Sequence, residues 1–330
     1  MFGQNYDQGQ GGHELHSYSL LAVGGAVTVL ADNFLDEILT EDPAWTLGTG
    51  VFGNDIWASF DDANAPDGDA HTAGLSPGID RPNDSWMQAD FAPVDPTQRV
   101  VSAEVHLSVD NPQGNEDNAV DIILMGEGPV AWARLRPGGT ATLGVGGTLM
   151  DPAGQLGGID LDPADANVPI AHVTSATNVI VLPENFAYQR YRLTYDAVDR
   201  RAELFQGGES ILVLDLANVP AAPQGLERNL GAFAPSHIDG LRIWTRSRGE
   251  TDSVFIDAVA VTAAPILRPG DCDLDADADL ADYMTITACF SGAGVPVADR
   301  LCALCADLDG DGDVDLADFV EFQTAFTGSN

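Results

Sequence analysis

The chain has 330 residues, 45% of them hydrophobic and 7% aromatic, which is enough for one large or two moderate domains with real cores. Against 51 acidic residues stand 14 basic ones, every one an arginine; a net charge of −37 repels phosphate backbones and anionic membranes, which disfavours them as partners, and favours cations.

Residues 1–25 read as a leader. Tyr18 to Ala31 (YSLLAVGGAVTVLA) is an uncharged apolar run, too short to span a bilayer comfortably. Val29-Leu30-Ala31 has the small-residue look of a signal-peptidase site, yet residues 1–17 carry no Lys or Arg. The other reading makes 26–31 the first strand of the next domain, behind a flexible Gly/Gln-rich arm. Both stay open at this point.

Residues 26–263 show almost no helical period and around a dozen short strand-like runs. These are Val51–Phe60, Trp86–Phe91, Arg99–Val109, Val120–Met125, Val130–Arg136, Ala141–Leu149, Asn178–Leu182, Tyr188–Tyr195, Arg201–Phe205, Ile211–Leu216, His237–Trp244 and Ser253–Thr262. Gly, Pro, Asn and Asp clusters separate them, the punctuation expected between strands. Val101, Ala103, Val105, Leu107 and Val109 alternate with Ser102, Glu104, His106 and Ser108. Such period-two alternation predicts one buried and one wet face, hence a mostly β, antiparallel two-sheet jelly-roll sandwich. His106 is expected on the wet face.

The run Tyr191–Asp196, then Ala202–Gly208 and Ile211–Leu216, resembles the central hairpin of laminin-G-like domains, which belong to the concanavalin A-like lectin/glucanase fold. The closing strand Val254–Val261 and the opening Asp32-Asn33-Phe34 followed by Trp45 are similar to the ends of such domains. The resemblance implies a sandwich that binds glycans or matrix proteins, and in some members cleaves glycans. Glucanases of this fold carry closely spaced carboxylates on one strand. Here Asp121 and Glu127 are six apart and interrupted by Gly126, so no catalytic or organic-cofactor residues are assigned. Three polar loops, 61–71, 110–118 and 160–167, are candidate binding rims whose clustered Asp and Asn suit a further calcium ion.

Residues 264–270 read as a linker, and 271–330 as a small helical module with a net charge of −13 on 60 residues. Self-repulsion of that size needs neutralising, and bound metal would do it. The segment repeats with a period of 36: Asp271, Asp273, Asp275, Asp277, Asp279 and Asp282 align with Asp307, Asp309, Asp311, Asp313, Asp315 and Asp318. Calcium takes six to eight oxygen ligands, and a twelve-residue EF-type loop supplies them from positions 1, 3, 5, 7, 9 and 12, position 7 through its backbone carbonyl. Each loop runs into a helix on which Leu280, Tyr283, Ile286 and Phe290 match Leu316, Phe319, Phe322 and Phe326 on one face.

Two loops with exiting helices resemble the type I dockerin module. The resemblance implies two Ca2+ sites. Position 6 is Gly312 in the second loop but Ala276 in the first, which predicts tighter binding at 307–318. Dockerins grip a cohesin domain with Ser/Thr at loop positions 10 and 11; here these are Leu280-Ala281 and Leu316-Ala317, which argues against a cohesin-type partner. The four cysteines, Cys272, Cys289, Cys302 and Cys305, all lie in this module and point to two disulfides, with free thiols and a zinc site as the alternatives.

Three functions fit these features. The first is a secreted or cell-surface calcium-binding protein, lectin-like or adhesive, attaching to glycans, matrix or other protein copies. The second is a carbohydrate-active enzyme, a glycoside hydrolase or lyase, with a docking module. The third is a self-assembling surface or filament subunit.

Overall fold

The computed structural model describes residues 26–34, 43–49, 55–58, 73–76, 83–109, 119–136, 139–150, 158–177, 179–180, 188–247, 254–266, 270–272, 278–297 and 300–326. The leader 1–25 and the polar loops 61–71 and 110–118 lie outside these residues. The strands open with β1 (Val27–Asp32), β2 (Trp45–Thr49), β3 (Asp55–Ala58), β4 (Ala73–Ser76), β5 (Asn83–Val94) and β6 (Arg99–Val109). Next come β7 (Ala119–Met125), β8 (Pro129–Leu135), β9 (Ala141–Gly146), β10 (Thr148–Leu149), β11 (Ile159–Asp160) and β12 (Ile170–Thr174). The last are β13 (Gln189–Asp196), β14 (Arg201–Gln206), β15 (Glu209–Asp215), β16 (Gly225–Arg228), β17 (Ile238–Ser247) and β18 (Val254–Pro265). Three helices follow: α1 (Leu280–Cys289), α2 (Arg300–Cys305) and α3 (Leu316–Ala325).

Two antiparallel sheets face each other. One runs β15-β14-β13-β6-β18-β4-β3, with β1 also paired to β18; the other runs β16-β12-β9-β8-β7-β17-β5-β2. Both faces of the core follow from alternation: Val101, Ala103, Val105, Leu107, Tyr191 and Leu193 meet Ile122, Leu124, Ala131, Ala133, Leu143 and Ile243. β7 and β8 are buried along their whole length because a second apolar cluster (Ile123, Met125, Trp132, Ile159, Ile170) covers the outer face of their sheet. Burial on both sides explains why β7 reads as a nearly continuous apolar run.

Several expected elements differ. The run 141–149 is not one strand: the backbone turns at Gly146 (φ 65) and Gly147 (φ 86), and Thr148–Leu149 pair with β11. Within 178–182, Val179 and Ile180 form a bend whose two N–H groups donate to Gly139 O. Val27–Asp32 form a strand against Val259–Ala263, the strand reading of the apolar run. There Asp32 accepts from Trp45 Nε1 (2.6 Å) and Phe34 N (2.7 Å), fixing the turn into the sandwich. β18 continues to Pro265, past the expected edge at 263, and Ile266 N–H donates to Gln98 O.

The C-terminal part has its own core of Ile286, Phe322, Val314, Ala278 and Ala306 with Cys272, Cys289 and Cys305. Disulfides join Cys272 to Cys305 and Cys289 to Cys302, so the zinc and free-thiol alternatives fall. The apolar helix stripe is only half used. Ile286 and Phe322 are buried and Tyr283 and Phe319 pack beside them, but Leu280 and Leu316 are 70% and 71% exposed. Each of these leucines opens its helix, one residue after the capping aspartate, and lies outside the layer that the disulfides pull together.

Candidate metal centre and the outer face of the second sheet

The loop Asp307–Asp318 is curled by its own carboxylates. Asp309 Oδ1 accepts from Asp311 N (3.1 Å), Asp311 Oδ1 from Asp313 N (3.1 Å), and Asp307 Oδ2 from Gly312 N (3.1 Å). Gly312 sits at φ 91, a conformation that costs a side-chain-bearing residue strain. Asp315 caps α3 by accepting from Ala317 N (2.7 Å), and Asp318 Oδ2 accepts from Asp315 N (2.7 Å). Asp318 Oδ1 accepts from Leu308 N (2.6 Å), tying the start of the loop to its end. The first loop repeats the scheme where it is described: Asp282 accepts from Cys272 N (2.6 Å) and Asp279 N (2.7 Å), and Asp279 from Ala281 N (2.6 Å). Asp271 and Asp282 are buried, while Asp273, Asp275, Ala276 and Asp277 lie outside the described residues.

The six acids of the second loop come together as two groups, Asp307 with Asp309 and Asp311, and Asp313 with Asp315 and Asp318; within each the carboxylate oxygens lie within 4.8 Å of one another. Asp307 Oδ1 and Asp313 Oδ1 are buried with no hydrogen-bond partner. An unpaired buried carboxylate oxygen is costly, and a hard cation supplies what is missing. Asp309 shows the same imbalance: the hydrogen bond from Asp311 N favours its charge, yet desolvation and the charges of Asp311, Asp318 and Asp307 prevail and raise its pKa. The donor set, all oxygen and all anionic, fits calcium. Asp313 takes part through its side chain, not only its backbone carbonyl as position 7 predicts: it is 6% exposed and its Oδ2 accepts from Gly294 N.

The sandwich contains a constellation that sequence reading missed. Strand register sets two rows of side chains across the outer face of the β16-to-β2 sheet. One row is Gly48, Trp86, Trp244, Asp121, Arg134, Thr142 and Thr174. The next is Thr46, Gln88, Arg242, Ile123, Trp132, Gly144 and His172. Asp121 and Arg134 form a buried bidentate pair (2.7 Å and 2.7 Å). Asp121 Oδ2 also accepts from Ile159 N (3.0 Å) and Arg134 donates to Ile159 O (2.8 Å), which straps Gly158–Asp160 over the middle of the face. Trp132 lies across Gly144 and donates to Gly146 O (3.0 Å). Beside it His172 is half-buried; desolvation first, then Arg134 and Arg136, lowers its pKa. The missed signal was three tryptophans, 86, 132 and 244, in the polar phase of alternating strands, two of them directly opposite a glycine.

Asp121, whose spacing to Glu127 does not fit a glucanase pair, has both oxygens engaged. Residues 160–167 form local turns (Asp160 Oδ1 accepting from Asp162 N, Asp165 Oδ1 from Asn167 N) braced by Arg228, not a ring of converging oxygens. His106 lies on the outer face of β6 but is only 24% exposed, 3.8 Å from Glu104 and 3.9 Å from Asp257, so it is a packed residue and not a solvated one.

No family model matches the chain, and no curated protein does. Among solved structures, the potassium-bound Emp46p carbohydrate recognition domain is 12% identical, with 71% of this chain and 95% of that chain covered and a TM-score of 0.43. Peanut lectin with a 9mer peptide is 10% identical over 74% of this chain and 100% of that one, with a TM-score of 0.37. A Lotus tetragonolobus seed lectin is 11% identical over 68% and 95%, with a TM-score of 0.36. None of these likenesses carries a ligand, a metal or a reaction over to this chain. No described helix is long and apolar enough to cross a membrane.

Proposed function

We propose that this is a secreted or cell-surface calcium-binding protein of two parts. Its β-sandwich is lectin-like and binds glycans, and its C-terminal dockerin-like module is held together by two calcium ions, one in each of the loops 271–282 and 307–318. The carrying observation is the second loop, where Asp307 Oδ1 and Asp313 Oδ1 are buried without a hydrogen-bond partner, each within a group of three carboxylates. Calcium would neutralise charges that otherwise repel, and its binding energy would appear as folding energy of the module. Two disulfides in so small a unit support an oxidising, extracellular compartment. The outer sheet face, with indole rings beside guanidinium, amide and hydroxyl groups, supports the glycan reading for the sandwich.

Calorimetric titration of the whole chain with calcium, with thermal unfolding recorded with and without EDTA, tests the metal reading. Two binding events of unequal affinity are expected, the tighter one lost in a variant of loop 307–318. An absence of heat at millimolar calcium, with unfolding indifferent to EDTA, rejects it.

A second reading concerns the module's partner. Leu280 and Met284 on α1 and Leu316 and Val320 on α3 are exposed at matching places in the repeat. These paired apolar patches favour docking to a protein partner or to another copy of the chain over the polar contacts of a cohesin. A monomer whose sedimentation is independent of concentration, with and without calcium, rules out self-association.

A further inference from the structure

Arg242 is one of the arginines of this acidic protein for which no ion pair with a carboxylate is found among the described residues, as Arg192 is. Arg134 is paired with Asp121, Arg201 with Glu203, Arg190 with Glu104 and Arg228 with Asp162. Arg242 is partly buried on the outer sheet face, has no carboxylate within ion-pair distance, and makes one hydrogen bond among the described residues, from Nε to Gln88 Oε1 (2.9 Å). Burial lowers its pKa, partly offset by the more distant charge of Asp90.

The neighbours hold the guanidinium in place. Its carbon lies 4.1 Å from the centroid of the Trp86 ring, a stacking distance. The indole in turn lies over Gly48, where any Cβ would come within 1.8 Å of a ring atom, so a side chain at 48 would displace it. Gln88 is itself fixed, because its Nε2 donates to Asp90 Oδ1 (2.7 Å). Gly48, Trp86, Gln88 and Asp90 thus lock the Nε edge of Arg242 and leave both terminal amines without an acceptor among the described residues. A guanidinium presented in this way matches a carboxylate through two parallel hydrogen bonds.

We propose that this face binds an acidic polysaccharide, with the carboxylate of a uronate residue seated on Arg242 and its ring edge against Trp86. The proposal rests on the glycan-binding reading of the sandwich and names its ligand class. Asp90 decides between a uronate chain and an acidic peptide. Its exposed carboxylate, next to Arg242, accepts hydrogen bonds from the hydroxyls that a uronate ring carries and an Asp or Glu side chain lacks. Thr46, across the strand from Gln88, offers a further hydroxyl contact on the other side.

The test is calorimetry or affinity electrophoresis of the whole chain in calcium. The probes are oligogalacturonate, alginate oligomers, the same oligogalacturonate after carboxyl reduction, a sulfated glycosaminoglycan, and polyglutamate. Binding to a uronate oligomer is expected, weakened by salt and by carboxyl reduction. Arg242→Gln should reduce it roughly ten- to a hundredfold, with Arg242→Lys in between, since a lysine restores charge but not the fork. Both variants should keep the wild-type melting temperature within a few degrees, which separates lost recognition from lost folding. Equal binding of the carboxyl-reduced oligomer, or indifference to Arg242→Gln, overturns the uronate site while leaving a neutral-glycan lectin standing. Preference for the sulfated chain or for polyglutamate overturns the assignment of ligand class. Failure of every saccharide to bind removes the glycan reading and this site together.

Discussion

The sandwich and the C-terminal module solve the same stability problem by different means. In the sandwich, two sheets enclose a continuous apolar core, and the one buried charge pair on the outer face, Asp121 with Arg134, has its oxygens and donors matched by each other and by Ile159. In the module, eight buried residues form the described core, three of them cysteines, beside carboxylates that crowd within 4.8 Å of one another. Hydrophobic burial scales with size, and a unit of 60 residues has too little of it to offset thirteen excess negative charges. Covalent links take over part of that role, and the proposed cation would take over the rest. The two parts should therefore respond to different perturbations, and each prediction below sets one against the other.

The largest effect is expected in the sandwich. Arg134→Leu leaves Asp121 buried and uncompensated and should destabilise the sandwich by about 3–5 kcal/mol. Pairing it with Asp121→Leu should recover much of the loss. Differential scanning calorimetry should show the change in the sandwich transition alone, with calcium affinity of the module unchanged. Loss of calcium affinity in Arg134→Leu would mean that the two parts are energetically coupled.

Next in size is the Cys272–Cys305 bridge, which ties position 2 of the first calcium loop to the end of α2, two residues before the second loop begins. Replacing both by serine should cost the module roughly 2–4 kcal/mol, visible as loss of helical circular dichroism in EDTA and its recovery in calcium. The sandwich transition should not move.

Two acid variants of the second loop should then differ in sign. Asp318→Asn removes an acceptor from part-buried backbone N–H groups and should destabilise the module by about 1–3 kcal/mol even in EDTA. Asp309 is repelled by its neighbours, and its raised pKa means that its charge opposes folding without metal; stability in EDTA should rise as pH falls through that pKa. Asp309→Asn should therefore stabilise the module in EDTA and weaken calcium binding. Equal destabilisation by both variants in EDTA would break the distinction drawn here between structural and metal-holding acids.

The smallest effect is a pH slope in the sandwich. The folded-state pKa of His172 is lowered, so its contribution is complete above the ordinary value of 6.5 and is lost as pH falls below that towards the folded pKa. Melting temperature should decline through that window, and His172→Gln should flatten the slope.

The fold was legible wherever local pattern and tertiary environment agree. β6, with five alternating apolar residues, and β13 were read nearly to the residue, because a half-buried strand writes its burial into a period of two. β2, β4, β12 and β16, of four or five residues each, carry too few positions to show that period and escaped. Gly146-Gly147 interrupted a run that composition alone joined. In the module, the helix stripe was correct in register but not in extent, since sequence spacing tells which residues share a face and not how far a neighbour covers it. Leu280 and Leu316 are the most exposed ends, and Phe290 and Phe326 at the other ends are exposed as well.

What the sequence alone determined is the set of features written in local spacing: the β character of the body, the duplicated acidic loop with its capping aspartates, and the confinement of all four cysteines to the module. Each depends on residues a few positions apart, whose geometry the backbone settles by itself. Tertiary structure alone decided the partners across distance. It chose one disulfide connectivity of three, set Trp86, Gln88 and Arg242 side by side from strands more than 150 residues apart in sequence, and strapped Ile159 over Asp121 and Arg134. The physical reason is register: only when β17 is laid between β5 and β7 do its outward residues acquire neighbours, and no spacing within a single strand encodes that choice.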